Sequence, residues 1–231
     1  MTRNGRRRGT IGPKAEDRRS SLTRAVGPHA FYRPFKRGAD IVLGGAALVA
    51  SLPLQAVVAA LVRYKLGRPV LFRQIRPGLQ AQPFELLKFR TMLTPEQAFG
   101  RHDDASRLTP FGAWLRSTSL DELPSLWNVV RGDMSLVGPR PLLLHYVDHY
   151  TPHQARRHDL RPGITGLAQV AGRNALTWQA RLDLDVEYVD RLGPGIDAAV
   201  ILRTCLVVLG RRGITAPGEA TMHPFSPQAH S

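Results

Sequence analysis

The sequence predicts an α-rich α+β fold, in which a small cytoplasmic globular domain of short helices and one β-hairpin follows an N-terminal membrane helix. Three observations predict it. A long uncharged run lies near the N-terminus, the helical and strand-like segments after it are short, and the 231 residues carry a formal net charge of +14. We therefore expect a monotopic membrane protein, whose Pro-broken, re-entrant helix enters and leaves the bilayer by one face.

The chain starts with a basic leader. Up to Arg37 it has eleven Lys and Arg residues against Glu16 and Asp17. Because its few apolar residues cannot offset the entropy lost on ordering, we expect residues 1–35 to be disordered. The charge excess indicates an anionic partner, and nucleic acid, anionic lipid headgroups and phosphorylated substrates all qualify. A single cysteine, Cys205, excludes an intrachain disulfide and is typical of a reducing, cytoplasm-facing setting.

The uncharged run, IVLGGAALVASLPLQAVVAALV, covers residues 41–62 between Asp40 and Arg63. As one helix, these 22 residues would be roughly 33 Å long, against about 30 Å for the hydrocarbon core of a bilayer. The alternative is a buried core helix, but a helix that is apolar on every face over this length is unusual in so small a domain. We expect residues 36–68 to form the membrane-associated segment.

Pro53 stands near the middle of this segment, where it removes one helical hydrogen bond and predicts a kink or a break. Basic residues flank both ends, so the positive-inside rule puts both ends on the cytoplasmic side. These residues are Lys36 and Arg37 before the run, and Arg63, Lys65, Arg68 and Arg73 after it. A helix-break-helix hairpin satisfies both constraints, whereas a kinked spanning helix satisfies only the first.

Residues 69–212 contain short elements and predict the globular domain, while residues 213–231 predict a disordered tail. Two strands around Arg76-Pro77-Gly78 are expected to pair as a hairpin. The predicted strands are residues 70–72 and 84–89, and the predicted helices are 111–116, 123–130, 142–150, 178–191 and 197–209. Four acidic residues of the penultimate helix are interpreted as a solvated face: Asp183, Asp185, Glu187 and Asp190.

The segment 117–141 carries two adjacent carboxylates, Asp121 and Glu122, among arginines. Such side chains can coordinate a hard divalent cation or supply an aspartate nucleophile, while arginines neutralise phosphate oxygens. The alternative is structural, because Ser119 and Glu122 fit the S-x-x-E capping box of a helix start. This segment by itself favours the cap, since helix caps far outnumber active sites.

Six sequence blocks follow one another in an order typical of one family, over about three quarters of the chain. They are KRGAD at 36–40, RPGL at 76–79, KFRTM at 88–92, LRSTSLDELPSLWNVVRGDMSLVGPRPLL at 115–143, RPGITGLAQVAGRN at 161–174 and DLDVEYV at 183–189. With these blocks the chain resembles the bacterial sugar transferases, the monotopic phosphoglycosyl transferases. It is similar to their minimal form, typified by the diNAc-bacillosamine-phosphate transferase, and to the undecaprenyl-phosphate sugar phosphotransferases.

The resemblance implies a two-step transfer. In the family, the Asp of the pair attacks the sugar-bearing phosphate of a UDP-sugar, expels UMP and carries the phosphosugar until polyprenyl phosphate accepts it. By motif position that nucleophile is Asp121, and Glu122 is its partner at a site for Mg2+. Splitting one transfer into two displacements suits a carboxylate nucleophile, and a metal withdraws charge that would otherwise repel it.

The resemblance also implies which residues bind the donor. The cationic contacts fall on Lys88, Arg116 and Arg140, and Arg140 belongs to a Pro-Arg-Pro turn that helps to position the nucleotide sugar. The prolines of this turn are Pro139 and Pro141. Further candidates within the family blocks are Arg90, Arg161 and Arg173.

Two positions depart from the family pattern. The minimal enzymes break their membrane helix at a Ser-Pro pair, whereas Leu52 precedes Pro53 here and Ser51 comes one residue earlier. We expect the re-entrant geometry to survive, because Pro53 still removes a hydrogen bond, but the polar stabilisation of the break is put in question. The second departure is Ala171, where Asn is common in the family.

The competing function is a non-enzymatic, membrane-tethered protein that binds nucleic acid or another anionic surface, which the Arg-rich leader suggests. That function leaves Asp121 and Glu122 without a role. We therefore expect an enzyme on the cytoplasmic face of the bacterial inner membrane. Its expected partners are a UDP-sugar, polyprenyl phosphate and the membrane, with no nucleic acid. The oligomeric state and the sugar stay open, with N-acetylated hexosamines first and glucose or galactose next.

Overall fold

The computed structural model describes residues 31–98, 104–172 and 176–210. Residues 1–30 of the basic leader, the C-terminal tail and Arg173 lie outside these ranges, whereas residues 32–35, which were expected to be disordered, belong to the first helix. The α-helices are α1 (Tyr32–Lys65), α2 (Asp104–Arg107), α3 (Pro110–Ser117), α4 (Ser125–Arg131), α5 (Pro152–Ala155), α6 (Leu167–Ala171), α7 (Trp178–Asp190) and α8 (Pro194–Gly210). The strands are β1 (Leu71–Pro77), β2 (Pro83–Phe89), β3 (Ser135–Val137) and β4 (Gly163–Thr165). The prediction of a mostly helical fold with a small β part is confirmed.

Helix α1 is a single α-helix of 34 residues that continues through Pro53. The prediction of a break is therefore wrong, because the proline removes only one hydrogen bond and the helix resumes at once, while a kink at Pro53 stays a prediction. Beside it, the Ser51 hydroxyl donates to the Leu48 carbonyl at 3.0 Å and accepts from the Gln55 amide at 2.9 Å. Ser51 thus supplies polar contacts next to the proline although Leu52 directly precedes it.

The first turns of α1 are fastened to helix α4. Arg37 donates to the carbonyls of Val129 at 2.7 Å and Val130 at 3.0 Å, near the end of α4, where carbonyls lack intrahelical partners. Gly44 lies so close to α4 that an added Cβ would come within 2.9 Å of Val129 Cγ1. A larger residue at Gly44 would therefore push the two helices apart.

The last turns of α1 are buried in the same domain. Val58 and Val62 pack in one cluster with Phe89 of β2 and Leu115 of α3. Between the two attachments, residues 45–57 are mostly exposed and extend over about 20 Å at 1.5 Å per residue. Within the described part of the chain, α1 is the one helix that is long and apolar enough to cross a membrane. One domain thus holds both ends of an exposed apolar stretch.

The β-hairpin is present and longer than predicted. Strands β1 and β2 pair antiparallel from Leu71 opposite Phe89 to Pro77 opposite Pro83. The turn begins only at Gly78, so the preceding arginine and proline belong to the strand. Its inner face contributes Phe84 and Leu86 to a cluster with Val129 and Met134.

Two polar side chains of α4 attach that helix to the backbone of β2. Asn128 accepts from the Leu87 amide at 3.1 Å and donates to the Glu85 carbonyl at 2.8 Å. Ser125 donates to the Leu87 carbonyl at 2.7 Å. These bonds give partners to backbone groups of β2, and they hold α4 against the strand next to Lys88.

A second, parallel pair of strands was not predicted. Ser135 of β3 lies opposite Gly163 of β4, and Val137 lies opposite Thr165. The backbones approach so closely after β3 that a Cβ on Gly163 would lie 2.1 Å from the Gly138 nitrogen, so glycine is required there. Val137 also enters the main core, where it packs with residues of α7 and α8, including Tyr188, Val189 and Val200.

Most predicted helices are confirmed with shifted ends, as α3, α4, α7 and α8. The prediction for residues 142–150 is wrong in type, because this segment forms a 3₁₀-helix, Leu144–His149. Pro141 precedes it and Pro152 follows it, so both prolines limit the length of the segment, and 3₁₀ turns are common in such short connectors.

Candidate active site

Asp121 and Glu122 lie in one 3₁₀ turn, Leu120–Glu122, between α3 and α4. Ser119 enters this turn in a left-handed conformation with φ 57°, which costs a non-glycine residue roughly 1–2 kcal/mol. Its side chain makes no capping hydrogen bond, so the capping-box alternative is wrong. Successive side chains of a 3₁₀-helix diverge by about 120°, and the two carboxylates accordingly have different neighbours.

Glu122 is held by two cations. Its Oε1 accepts from Lys88 Nζ at 2.5 Å and from Arg140 Nη2 at 3.1 Å. Burial by itself favours the protonated acid, but the charges of Lys88 and Arg140 outweigh it and lower the pKa of Glu122 to about 2. Glu122 is therefore an anion at every physiological pH.

Asp121 is buried, at 8% exposure. Within the described residues, its carboxylate has no cation within ion-pair distance and no hydrogen bond. Burial and the adjacent Glu122 charge raise the pKa of Asp121 to about 6, although Lys88, Arg116 and Arg140 act in the opposite direction. Its ionised form is therefore present near neutral pH but poorly stabilised, which is typical of a reactive carboxylate.

Lys88, Arg116 and Arg140 surround the two acids, and we call these five residues the site cluster. Arg116, in the last turn of α3, donates from Nε to Thr91 Oγ1 at 3.0 Å. Burial lowers the pKa of Lys88, whereas the Glu122 charge raises that of Arg140. The structure thus brings together the residues that the resemblance named first.

The Pro-Arg-Pro turn that carries Arg140 is held through three consecutive carbonyls. The Gly163 amide donates to the Pro139 carbonyl at 2.9 Å, and Arg157 Nη2 donates to the Arg140 carbonyl at 2.6 Å. Arg76 Nη1 donates to the Pro141 carbonyl at 3.4 Å. Pro139 and Pro141 are buried and have restricted φ angles. The turn therefore presents the Arg140 guanidinium to Glu122 from a rigid backbone.

Arg157, which holds the Arg140 carbonyl, is itself bound to Asp185 of α7. Its Nε and Nη2 donate to Asp185 Oδ2 at 3.1 and 2.6 Å, and each side chain is 1% exposed. The prediction that Asp185 belongs to a solvated face is wrong. Asp185 falls on the apolar stripe of α7, three residues after Leu182 and four before Val189, and this spacing was the signal for its burial.

The remaining sequence candidates lie elsewhere. Arg90 donates to Gln97 at 2.9 Å and to the Leu66 carbonyl that follows α1, so it secures the end of that helix. Arg161 donates to the Gly132 carbonyl at 2.8 Å, at the turn after α4. Neither side chain shares a contact with Glu122 in the described structure. Arg173 lies outside the described residues, and Pro53 lies in the exposed middle of α1.

Sequence reasoning missed the polar residues that support the site. Asn128 and Ser125 dock α4 on β2, and Arg157 with Asp185 supports the Arg140 turn. Asn128 is fully buried although it sits between apolar residues in mid-helix. A buried amide at such a position destabilises a helix unless it has hydrogen-bond partners. An asparagine among apolar residues in mid-helix was therefore the signal in the sequence for these contacts.

The site offers oxygen ligands to a divalent cation. Glu122 Oε2 and both oxygens of Asp121 carry no hydrogen bond from the described residues, whereas Glu122 Oε1 is taken. Among these residues no group of three or more His, Cys, Asp or Glu side chains could hold a metal ion. Two carboxylates still fit Mg2+, which commonly binds one or two protein carboxylates and completes its shell with water and substrate phosphates.

Known proteins resemble this chain over the region that carries the site. A family described as bacterial sugar transferase matches residues 31–211. The uncharacterized sugar transferase EpsL of Bacillus subtilis is 48% identical, over 72% of this chain and 83% of the relative. The UDP-glucose:undecaprenyl-phosphate glucose-1-phosphate transferase of Caulobacter vibrioides is 42% identical, over 73% of this chain and 67% of the relative. The exopolysaccharide production protein ExoY of Rhizobium meliloti is 35% identical, over 77% of this chain and 87% of the relative.

Proposed function

This chain belongs to the bacterial sugar transferase family, and we propose that it is a polyprenyl-phosphate sugar-1-phosphate transferase. It moves a sugar 1-phosphate from a UDP-sugar to polyprenyl phosphate, releases UMP, and so performs the first membrane step of a glycoconjugate pathway. One observation carries the proposal. A buried Asp121, which has no ion-pair partner among the described residues, stands among cations beside a Glu122 that is already neutralised.

The chemistry proceeds in two displacements with Asp121 as the covalent carrier. An ionised Asp121 oxygen bonds to the phosphorus that bears the sugar, and the bond from that phosphorus to the bridging oxygen breaks. The electron pair leaves with UMP. An oxygen of polyprenyl phosphate then attacks the same phosphorus, the bond to Asp121 breaks, and the carboxylate is regenerated.

The cations of the site cluster neutralise the charge that moves in these steps. Lys88 and Arg140 are fixed by Glu122, so they meet the phosphate without first having to be ordered. Because phosphoryl transfer spreads charge over the equatorial oxygens, several donors around one phosphorus stabilise it better than a single one. Arg116 adds a third positive charge near Asp121.

We propose Mg2+ as the cofactor, and Asp121 and Glu122 are the residues that would hold it. When bound, this ion supplies positive charge that reduces the repulsion between a carboxylate nucleophile and a phosphate. The free carboxylate oxygens described above support this assignment.

We propose that α1 is re-entrant and that both of its ends face the cytoplasm, at the bacterial inner membrane. One domain holds Gly44 and Val58, and the helix between them extends over about 20 Å, less than the roughly 30 Å hydrocarbon core. A helix that crosses the bilayer would have to carry one of these attachments to the far side.

Transfer itself is tested with Asp121→Asn. Membranes that contain the protein are incubated with Mg2+, undecaprenyl phosphate and labelled UDP-glucose, UDP-galactose or UDP-N-acetylhexosamines, and label is followed into organic solvent. We expect transfer from at least one donor, and a loss of about a thousandfold or more in the variant, because the amide is not a nucleophile. The control is Asp183→Asn, an exposed carboxylate of α7 that should retain activity.

Full activity of Asp121→Asn would refute the assigned nucleophile. A wild-type protein that transfers label from no nucleotide sugar would refute the enzyme, and it would favour the competing anionic-surface binder.

Topology is tested by cysteine labelling in a Cys205→Ser background. Arg33→Cys and Arg68→Cys, at exposed positions before and after the apolar stretch, should both react with an impermeant maleimide from the cytoplasmic face. The Cys205→Ser parent without added cysteine is the control. If the two positions label from opposite faces, α1 spans the bilayer.

A further inference from the structure

The register of the hairpin puts a second basic residue on the face that carries Lys88. Lys88 lies opposite Phe72, and Arg76 lies opposite Phe84. Paired residues of an antiparallel ladder project from the same face, and so do residues two or four apart along a strand. Arg76 therefore shares the face of Lys88, about 13 Å further along the hairpin, at roughly 3.3 Å per residue.

Arg140 lies next to Arg76 and connects it to the site cluster. Arg76 Nη1 donates to the carbonyl of Pro141, the residue directly after Arg140. Burial, and then the repulsion of the Arg140 charge, lower the pKa of Arg76 to about 10. The order along this face is thus Lys88 with Glu122, then Arg140, then Arg76.

Arg76 differs from Lys88 and Arg140 because, in the part of the chain that the structure describes, no carboxylate pairs with it. Its partners are the neutral Pro141 carbonyl, at a long 3.4 Å, and the amide oxygen of Gln74. Its Nε is buried without a partner in the described structure. Lys88 and Arg140, by contrast, both bind Glu122. A part-buried guanidinium beside another cation is stabilised when an anion binds between them.

We infer that Arg76 binds the phosphate of the nucleoside monophosphate half of the donor, the half that leaves as UMP. This inference rests on the proposed function, because it places the attacked phosphate at Asp121. In an in-line displacement, the leaving oxygen lies on the side of the phosphorus opposite to the nucleophile. As the bond between the two phosphates breaks, negative charge collects on the leaving phosphate, and Arg76 meets that charge beyond Arg140.

The test is equilibrium binding of UMP to the full-length protein in detergent, measured by calorimetry, together with steady-state kinetics. The variants are Arg76→Gln, which removes the charge, and Arg76→Lys, which keeps it but loses the planar fork. Arg73→Gln is the matched control, because Arg73 lies on the same strand, is mostly exposed and pairs with Glu85.

We expect Arg76→Gln to weaken UMP binding about 10- to 100-fold, as for loss of one charge-assisted contact, with Arg76→Lys between it and wild type. The KM for the UDP-sugar should rise, and that for polyprenyl phosphate should stay unchanged. Arg73→Gln should bind UMP as wild type does. A purely structural role of Arg76 would lower the melting temperature without changing UMP affinity in the folded fraction, and that result would overturn the inference.

The two hypotheses fail differently. If wild type transfers sugar phosphate and the Arg76 and Arg73 variants bind UMP equally well, the inference is wrong and the proposed function stands. If Arg76→Gln weakens UMP binding but wild type transfers from no UDP-sugar, the nucleotide site stands and the proposed function is wrong. If wild type does not bind UMP, the inference is wrong. Should Arg76→Gln fail to fold, Arg76→Lys decides, because unchanged UMP affinity in that variant contradicts a forked phosphate contact.

Discussion

Two ion-pair systems lie close together in this molecule and differ in their charge balance. The pair of Arg157 and Asp185 is sealed, with one cation, one carboxylate and 1% exposure of each side chain. The site cluster is partly open, since Lys88, Glu122 and Arg140 are 17%, 19% and 38% exposed. It also contains a second carboxylate, Asp121, that no cation contacts within the described residues.

The difference shows that a buried ion pair is not by itself evidence of a catalytic site. Where the charges match and water is excluded, as for Arg157 and Asp185, the pair orients backbone, here the Arg140 carbonyl. Where an acid is buried beside another carboxylate and no described cation contacts it, as for Asp121, its pKa rises towards neutrality, which is typical of a reactive group. Reactivity therefore follows from the unmatched group beside the pair.

The largest effect on stability is expected from breaking the sealed pair. Arg157→Met should lower the free energy of unfolding by about 3–5 kcal/mol, because it leaves the buried Asp185 carboxylate without its cation. The control is Arg156→Gln, which removes the neighbouring but half-exposed pair with Asp190 and should cost under about 1 kcal/mol. Urea unfolding measures both, and equal losses would remove the distinction between sealed and exposed pairs.

A smaller, opposite effect on stability is expected at the site cluster. The folded-state pKa of Asp121 is about 6, above the value of 3.8 for a free carboxyl, so folding stability falls as the pH rises from about 4 to 6. The ionised group is then a cost at pH 7.5. Asp121→Asn should therefore increase the free energy of unfolding by about 1–3 kcal/mol at pH 7.5, and by little below pH 4. A variant that is less stable than wild type at pH 7.5 would contradict this assignment.

The smallest effect concerns the pH dependence of catalysis. If ionised Asp121 is the nucleophile, kcat/KM for the UDP-sugar at subsaturating Mg2+, where the free protein holds no metal, should rise about tenfold between pH 5 and pH 7 and then level off, following a pKa of about 6. Initial rates of UMP release across this range measure it. A profile that is flat from pH 5 upward would mean that the unmatched carboxylate does not govern the reaction.

Much of the fold could be predicted because its signals are local. The turn residues Arg76-Pro77-Gly78 between two short strand-like segments indicated the hairpin, and the helical spacing after Trp178 indicated α7. The parallel pair β3 and β4 has three residues per strand, and its partners are 28 residues apart in the chain, so no local periodicity reveals it. Asp185 was assigned to a solvated face for a different reason, because its acidic side chain was given more weight than its position on the apolar stripe of α7. Its acidic character was visible in the sequence, but Arg157 was not visible as its partner.

The order of residues along the chain was enough to identify an uncharged helix with basic flanks and an adjacent pair of acids among arginines. These features depend on near neighbours, and the chain keeps them in any conformation. Only the tertiary packing determined that the two adjacent acids have different partners and different pKa values. Glu122 meets Lys88 from 34 residues earlier, which leaves Asp121 unpaired. Folding brings such distant groups together, and burial among them changes the proton affinity of Asp121 from that of an ordinary carboxylate to that of a reactive one.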